Sequence, residues 1–247
     1  MSYELNAVLR TLSSEGVGAT ARKMFQYVCQ IGQTLRFISL SRPRGDNVEA
    51  LVKFSRASAG GVICPQQVES EILQLACVVR DLQPKVVVEI GTANGGTLFL
   101  WATLMHPMGC VISIDLPGGT HGGGYPYWKT WLYNSFGRKR GDVRLLRGDS
   151  HASSMRKKLE RILAGRAIDF LFIDGDHTYA GVVKDFEMYS PLVRLGGMIA
   201  LHDICVHSPK IDCQVDKFWQ HIKKDSNSME LIENADQGWA GIGLITM

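Results

Sequence analysis

Apolar positions change period along this chain. Between Ala21 and Leu40 they recur at near-helical spacing, at Met24, Phe25, Val28, Ile31, Leu35 and Ile38, in a basic stretch that predicts an amphipathic helix. The cluster Ser41-Arg42-Pro43-Arg44-Gly45 breaks that pattern. From Pro65 onward short β-branched runs alternate with helix-like segments. Gln66 to Arg80 puts Val68, Ile72, Leu73 and Cys77 on one helical face, Val86-Val87-Val88-Glu89-Ile90 reads as a buried parallel strand, and Thr97 to Met105 is again helical. Further strands are expected at Cys110 to Ile114, Val143 to Leu146, Asp169 to Ile173 and Met198 to Leu201. Met229 to Ile232 and Ile242 to Met247 are short enough to form an antiparallel pair at the sheet edge.

The alternation predicts an α/β fold, a doubly wound, seven-stranded, mostly parallel sheet. Residues 1–60 read as an N-terminal helical extension and 61–247 as one α/β domain. Right-handed crossovers then gather the carboxyl ends of the parallel strands on one rim, where ligands bind in such folds. The apolar stripe of the extension calls for cover, either by the domain or by a second copy in a homo-oligomer.

Composition narrows the picture by exclusion. With 45% hydrophobic and 21% charged residues in 247, the chain has the balance of an ordinary globular protein. A formal net charge of +3 is too small to argue for nucleic acid, and the clusters Arg138-Lys139-Arg140 and Arg156-Lys157-Lys158 read as solvated surface. No apolar run approaches the roughly 20 residues of a membrane-spanning helix, and no signal-peptide core is evident, so a cytoplasmic protein without stable membrane insertion is expected. Six cysteines without CxxC pairing read as reduced thiols. His202, Cys205, His207 and Cys213 offer zinc-type ligands, but at intervals that match no standard finger or ribbon.

The chemistry gathers at the predicted strand ends. Glu89-Ile90-Gly91-Thr92-Ala93-Asn94-Gly95-Gly96-Thr97 runs from a strand through a glycine-rich turn into a helix, where missing Cβ atoms let a ligand approach the backbone. Gly91 and Gly95 stand four apart, so the turn is not the GxGxxG of dinucleotide folds, which counts against a nicotinamide cofactor. Asp115 ends the next strand, placed to accept from two ribose hydroxyls; Gly148-Asp149-Ser150 follows the third and can meet the exocyclic amine of adenine. Asp174-Gly175-Asp176-His177 follows the fourth strand, and His202-Asp203 the fifth. The glycine-rich loop from Pro117 to Trp128, with His121, Tyr125, Tyr127 and Trp128, reads as a lid or recognition surface, whereas Trp219 and Trp239 read as packing residues.

Taken together, Glu89-Ile90-Gly91 with Gly95, Asp115, Asp149-Ser150 and Phe172-Ile173-Asp174-Gly175-Asp176-His177 resemble the successive motifs of class I S-adenosylmethionine-dependent methyltransferases. The stretches Ser113 to Gly119, Gly122-Gly123-Gly124-Tyr125, Tyr179-Ala180-Gly181-Val182 and Gly196-Gly197 leading to His202-Asp203 resemble a bacterial branch with cephalosporin-hydroxylase-like and sugar or macrolide O-methyltransferases. The resemblance runs from about residue 62 to the C-terminus. It implies a Rossmann-like methyltransferase fold and transfer of a methyl group from S-adenosylmethionine to a hydroxyl of a small-molecule acceptor such as a sugar, polyketide or phenol. N-methylation on the same scaffold and an inactive cofactor-binding protein are the alternatives. It also implies cofactor contacts at Glu89, Gly91, Thr92, Asn94, Gly95, Asp115, Asp149, Ser150 and Asp174. Relatives that carry a divalent metal hold it at positions that correspond here to Asp174, His202 and Asp203. An imidazole there departs from the all-oxygen pattern and suits manganese, iron or zinc better than magnesium. A metal-free site with His177 or His202 as general base, beside Asp174, is the competing arrangement.

Overall fold

A computed structural model describes residues 2–118, 124–137, 142–208, 210–234 and 236–247, with side chains from residue 17 onward. The seven expected strands form one sheet: β1 (Val86–Ile90), β2 (Cys110–Asp115), β3 (Val143–Arg147), β4 (Ile168–Ile173), β5 (Val193–His202), β6 (Asn227–Leu231) and β7 (Ile242–Thr246). Their order is β3-β2-β1-β4-β5-β7-β6, with β7 antiparallel to both β5 and β6 and the other pairs parallel. The chain winds outward from β1 in one direction through β2 and β3, then restarts on the other side with β4. Loops leaving β1 and β4 therefore part company at their carboxyl ends and leave a crevice between them.

Both faces of the sheet are covered, which explains the unbroken apolar runs in its central strands. Val87, Phe170 and Phe172 point to one layer, where they meet helices α2 (Val48–Ala57), α3 (Glu69–Leu82) and α4 (Gly96–Leu104) through Leu51, Leu75 and Phe99. Val88, Ile112 and Leu171 point to the other, against Leu159 of α6 (Ser153–Leu163), Val182 of α7 (Tyr179–Tyr189) and Phe218 of α8 (Val215–Ile222). The short α5 (Lys129–Asn134) lies on the first side, where Leu132 and Tyr133 are buried.

The chain before residue 61 shares this core. Helix α1 spans Ser2–Ser39, beyond the expected Ala21 to Leu40, because no proline interrupts it and its glycines weaken a helix by only about 1 kcal/mol each. Phe37 near its end is fully buried against Phe54, Phe99 and Phe136, while Met24, Phe25, Val28 and Leu35 stand more than half exposed. Helix α2 was not legible in the breaker-rich stretch before it. Asn47 caps it, accepting from the Ala50 N–H at 3.0 Å, and Val48, Leu51, Val52 and Ser55 form its buried face. Helix α3 starts at Glu69 rather than Gln66, because Gln67 is engaged elsewhere: its carbonyl accepts from Arg56 and its amide reaches Asp174.

Trp219 is fully buried, as a packing residue should be; Trp239 is 46% exposed and corrects that expectation. The turn around it puts Ala240, at φ 58°, into the interior instead. Residues 119–123 of the expected lid, His121 among them, and the cluster Arg138-Lys139-Arg140 lie outside the described residues. Among the described residues no helix is long and apolar enough to cross a membrane.

Candidate active site

The glycine-rich turn after β1 is shaped by what lies against it. Gly91 has φ +88°, and a Cβ there would stand 1.8 Å from the carbonyl oxygen of Asp174, so only glycine lets the ends of β1 and β4 touch. They are joined by the Asp174 N–H donating to Ile90 O at 2.8 Å, while the Gly91 N–H reaches back to Ile114 O at 2.9 Å. The next residues lean on β2. Asp115 Oδ2 accepts from the N–H groups of Thr92 at 2.7 Å and Ala93 at 2.8 Å. Its other oxygen is buried without a partner among the described residues. Burial pushes the Asp115 carboxyl up, against the pull of those two N–H groups.

Glu89 faces the other way. Fully buried, it accepts from Thr92 Oγ1 at 2.8 Å and from Trp101 Nε1 at 3.0 Å, and burial pushes it up to about 8. The carboxyl thus braces the turn from behind, and with it the Thr92 hydroxyl points inward. Gly95, at φ +86°, makes room for Tyr133, whose ring a Cβ would meet at 2.5 Å and whose hydroxyl donates to Ala93 O. Glu89, Thr92 and Gly95 shape the turn, and neither they nor Asn94 line the crevice.

The crevice itself is lined by Gly91, Asp115, Asp149, Ser150 and Asp174 from the sequence-based set, together with Gln66, His151, Gly175, Asp176 and His177. One end holds the polar groups after β2 and β3, the other an alternation of acids and imidazoles after β4 and β5. His202 Nδ1 lies 3.1 Å from Asp174 Oδ1 and 3.4 Å from Asp203 Oδ2. His177 stands between the same acids, with Nε2 3.4 Å from Asp174 Oδ1 and Nδ1 3.4 Å from Asp203 Oδ2. His207 Nε2 meets the second Asp203 oxygen at 3.2 Å, and Gln67 Nε2 donates to Asp174 Oδ2 at 2.7 Å. Asp203 adopts φ +66°, a left-handed conformation that costs a non-glycine residue about 1 kcal/mol or more.

This network draws positive charge. Burial alone would raise Asp174 and Asp203 and lower His202, yet at each the opposite charges prevail. Both carboxyls end below the usual carboxylate range, and His202 well above the usual imidazole range. His177 is raised too, burial being outweighed by Asp174 and Asp203. Only His177 and Asp174 of this group line the crevice; His202 is 6% exposed and sits behind them. Of the four zinc-type residues read from the sequence, His202, His207 and Cys213 each approach Asp203, but among the described residues no three of the four gather as one ligand set. Cys213 falls beside His177 and Asp203, His202 beside Asp174 and Asp203, and Cys205 joins neither group.

Residues 88–204, from within β1 to just past β5, match a family model described as a methyltransferase domain. This stretch, just under half of the chain, is similar to methyltransferase domains. The matched stretch contains all of the rim described above except Gln66, Gln67 and His207. A rhamnosyl O-methyltransferase of Mycobacterium tuberculosis is 23% identical over 146 residues, 58% of this chain and 55% of that protein. The chain spans about half the length of the curated relatives it matches. Among solved structures, an O-methyltransferase from Bacillus cereus in complex with S-adenosylhomocysteine aligns with a TM-score of 0.52 and 18% identity, covering 83% of this chain and 92% of that one. The O-methyltransferase TomG from Streptomyces achromogenes, in complex with S-adenosylmethionine, gives 0.55 at 18% identity over 86% and 95%. At these identities the structural likeness establishes the fold.

Sequence reasoning missed several groups of this rim. Gln67 reaches Asp174 across 107 positions, a separation that carries no local signal. His151 stood directly after Asp149-Ser150 and was readable there as a third polar residue at a strand end. Its buried partner Asp185 lies inside an ordinary helical pattern.

Proposed function

We propose that this chain transfers a methyl group from S-adenosylmethionine to a hydroxyl of a small-molecule acceptor. The observation that carries this reading is the crevice at the ends of β1, β2, β3 and β4, with an Asp115 oxygen buried without a partner among the described residues toward one end and Asp174 and His177 at the other. On this reading Asp115 Oδ1 accepts from a ribose hydroxyl, Asp149 and Ser150 meet the purine amine, and the Gly91 turn takes the methionine part; the open Asp115 oxygen and the lining of the crevice support it. Alignment of donor and acceptor supplies much of the rate, and what remains is one proton.

The residues also fit a divalent metal. Asp174, His202 and Asp203 each offer a ligand atom within 4.8 Å of the others. Their contacts of 3.1 and 3.4 Å approach the edge of about 3 Å expected between neighbouring ligands of a six-coordinate ion. The carboxylates that raise both imidazoles would equally attract a metal cation, which would take the place of a proton on His202. A metal bound there would lower the pKa of the acceptor hydroxyl. On the metal-free reading His177 takes the hydroxyl proton at Nε2, with Asp203 beside Nδ1 to steady the ring. His202, buried behind them, serves better as a ligand than as a base.

The acceptor class, a sugar or other hydroxylated natural product, rests on the names of the relatives. Six free thiols suit a reducing, cytoplasmic setting, and the exposed stripe of α1 suits a homo-oligomer. The test is incubation with methyl-labelled S-adenosylmethionine and a panel of sugar, polyketide and phenolic acceptors, with amines included. Label on a hydroxyl supports the reading; label only on nitrogen, or binding without turnover across the panel, overturns it.

A further inference from the structure

At the end of the crevice that holds Asp149 and Ser150, one further side chain has no role in the proposed reaction. His151 lines it directly after Asp149 and Ser150, with 18% of its side chain exposed. Its ring is held from behind: Nε2 lies 3.1 Å from the Gly181 carbonyl oxygen and 3.3 Å from Asp185 Oδ1. Both neighbours only accept, so Nε2 must carry a hydrogen. Among the described residues the ring makes its contacts through Nε2 alone, which leaves Nδ1 for the crevice.

Asp185 is an unusual neighbour. It is completely buried in α7, and its Oδ2 would lie 3.3 Å from a Cβ on Gly175, which lines the crevice. His151 is its only ion-pair partner among the described residues, and neither carboxylate oxygen accepts a well-formed hydrogen bond. A buried carboxylate so poorly satisfied favours a cation beside it. Asp185 accordingly raises His151 above the usual imidazole range, against burial and with help from Asp149 and Asp176. In the charged form Nδ1 also carries a hydrogen and points a donor into the crevice.

The His151 N–H donates to Asp149 Oδ1 at 2.8 Å, so the two residues share one turn and Asp149 keeps its second oxygen. An acceptor at Asp149 next to a donor at His151 is the complement of an adenine edge, where the amine stands beside a ring nitrogen that only accepts. We infer that His151 is a cofactor-specificity residue whose Nδ1 donates to an adenine ring nitrogen beside the amine met by Asp149, with Asp185 as the positioning residue beneath it. This inference rests on the S-adenosylmethionine reading above.

Calorimetry with S-adenosylhomocysteine and its 1-deaza and 7-deaza analogues tests it on the full chain. The wild type should bind one of the two analogues about tenfold more weakly, the cost of one lost charge-assisted hydrogen bond. His151→Ala should bind S-adenosylhomocysteine about tenfold more weakly and treat that analogue no differently from the parent. Asp185→Asn should weaken binding in the same direction and add little to His151→Ala in the double variant. A His151→Ala protein with wild-type affinities, or with the wild-type preference intact, overturns the assignment. Additive losses overturn the part given to Asp185. His151 is at the crevice surface, so its arm of the test stands even if Asp185→Asn does not fold. Failure of the wild type to bind S-adenosylhomocysteine at all would remove the cofactor reading itself, whereas binding with an indifferent His151→Ala removes this inference alone.

Discussion

Asp115 Oδ2 accepts the backbone N–H of Thr92 at 2.7 Å, while the other oxygen of the same carboxylate is buried with no partner among the described residues. A buried acceptor left open is costly unless a ligand or water meets it, so Asp115 has both a structural and a binding face. Asp115→Ala is expected to weaken S-adenosylmethionine binding by about 1–3 kcal/mol. Calorimetry on the folded variant checks this, and unchanged affinity would remove Asp115 from the cofactor site.

Glu89 predicts a pH effect on stability. Its carboxyl rises to about 8 in the fold from an ordinary 4.5, so the folded state holds a proton that the unfolded chain has released. Its stabilising contribution is complete below about pH 4.5 and is lost as pH climbs toward 8, at about 1.4 kcal/mol per unit. Glu89→Gln keeps a neutral side chain of the same shape beside Thr92 and Trp101. Thermal melts should show the variant losing less stability than the wild type between pH 5 and pH 8. Parallel curves would mean that Glu89 is ionised in the folded protein.

The acid–imidazole network separates two routes for the acceptor proton. With a metal at Asp174, His202 and Asp203, a chelator should abolish methyl transfer, manganese should restore it, and His202→Gln should weaken metal binding read by calorimetry. Without one, activity survives the chelator and falls on the acid side of a pH above 6.5, because the two carboxylates raise His177. In either case His177→Gln should lower kcat about 100-fold or more. Full activity in this variant would exclude His177 as the proton acceptor.

Phe37 predicts how firmly the end of α1 belongs to the domain. It is fully buried, within 5.4–6.0 Å of the ring centres of Phe54, Phe99 and Phe136, and the Arg42 guanidinium lies over three of these rings. Phe37→Ala should cost about 3–5 kcal/mol in urea unfolding and leave cofactor affinity unchanged in the folded protein. A loss below about 1 kcal/mol would show that α1 does not close this core.

Much of the molecule was legible in residue order. The run Val86 to Ile90 and its counterparts read as strands because parallel strands buried on both faces leave no room for alternation. Asp115, Asp149, Asp174 and His177 read as rim residues because a strand end followed by a polar residue is local information. Helix α2 was hidden by the breakers before it, and the inward direction of Glu89 was not legible because an acid at a strand end has no direction until its neighbours are known.

The sequence by itself determined the periods, the turn glycines and the types of polar group available at each strand end, all of which depend on residues a few positions apart. Only the tertiary structure decided which of them face the crevice. Glu89 turns inward because Trp101 on the next helix donates to it, His202 retires behind His177, and His151 is gripped by Asp185 from 34 positions away. Those outcomes depend on packing between elements distant in the chain, where burial and the nearest opposite charge set each side chain's direction and protonation.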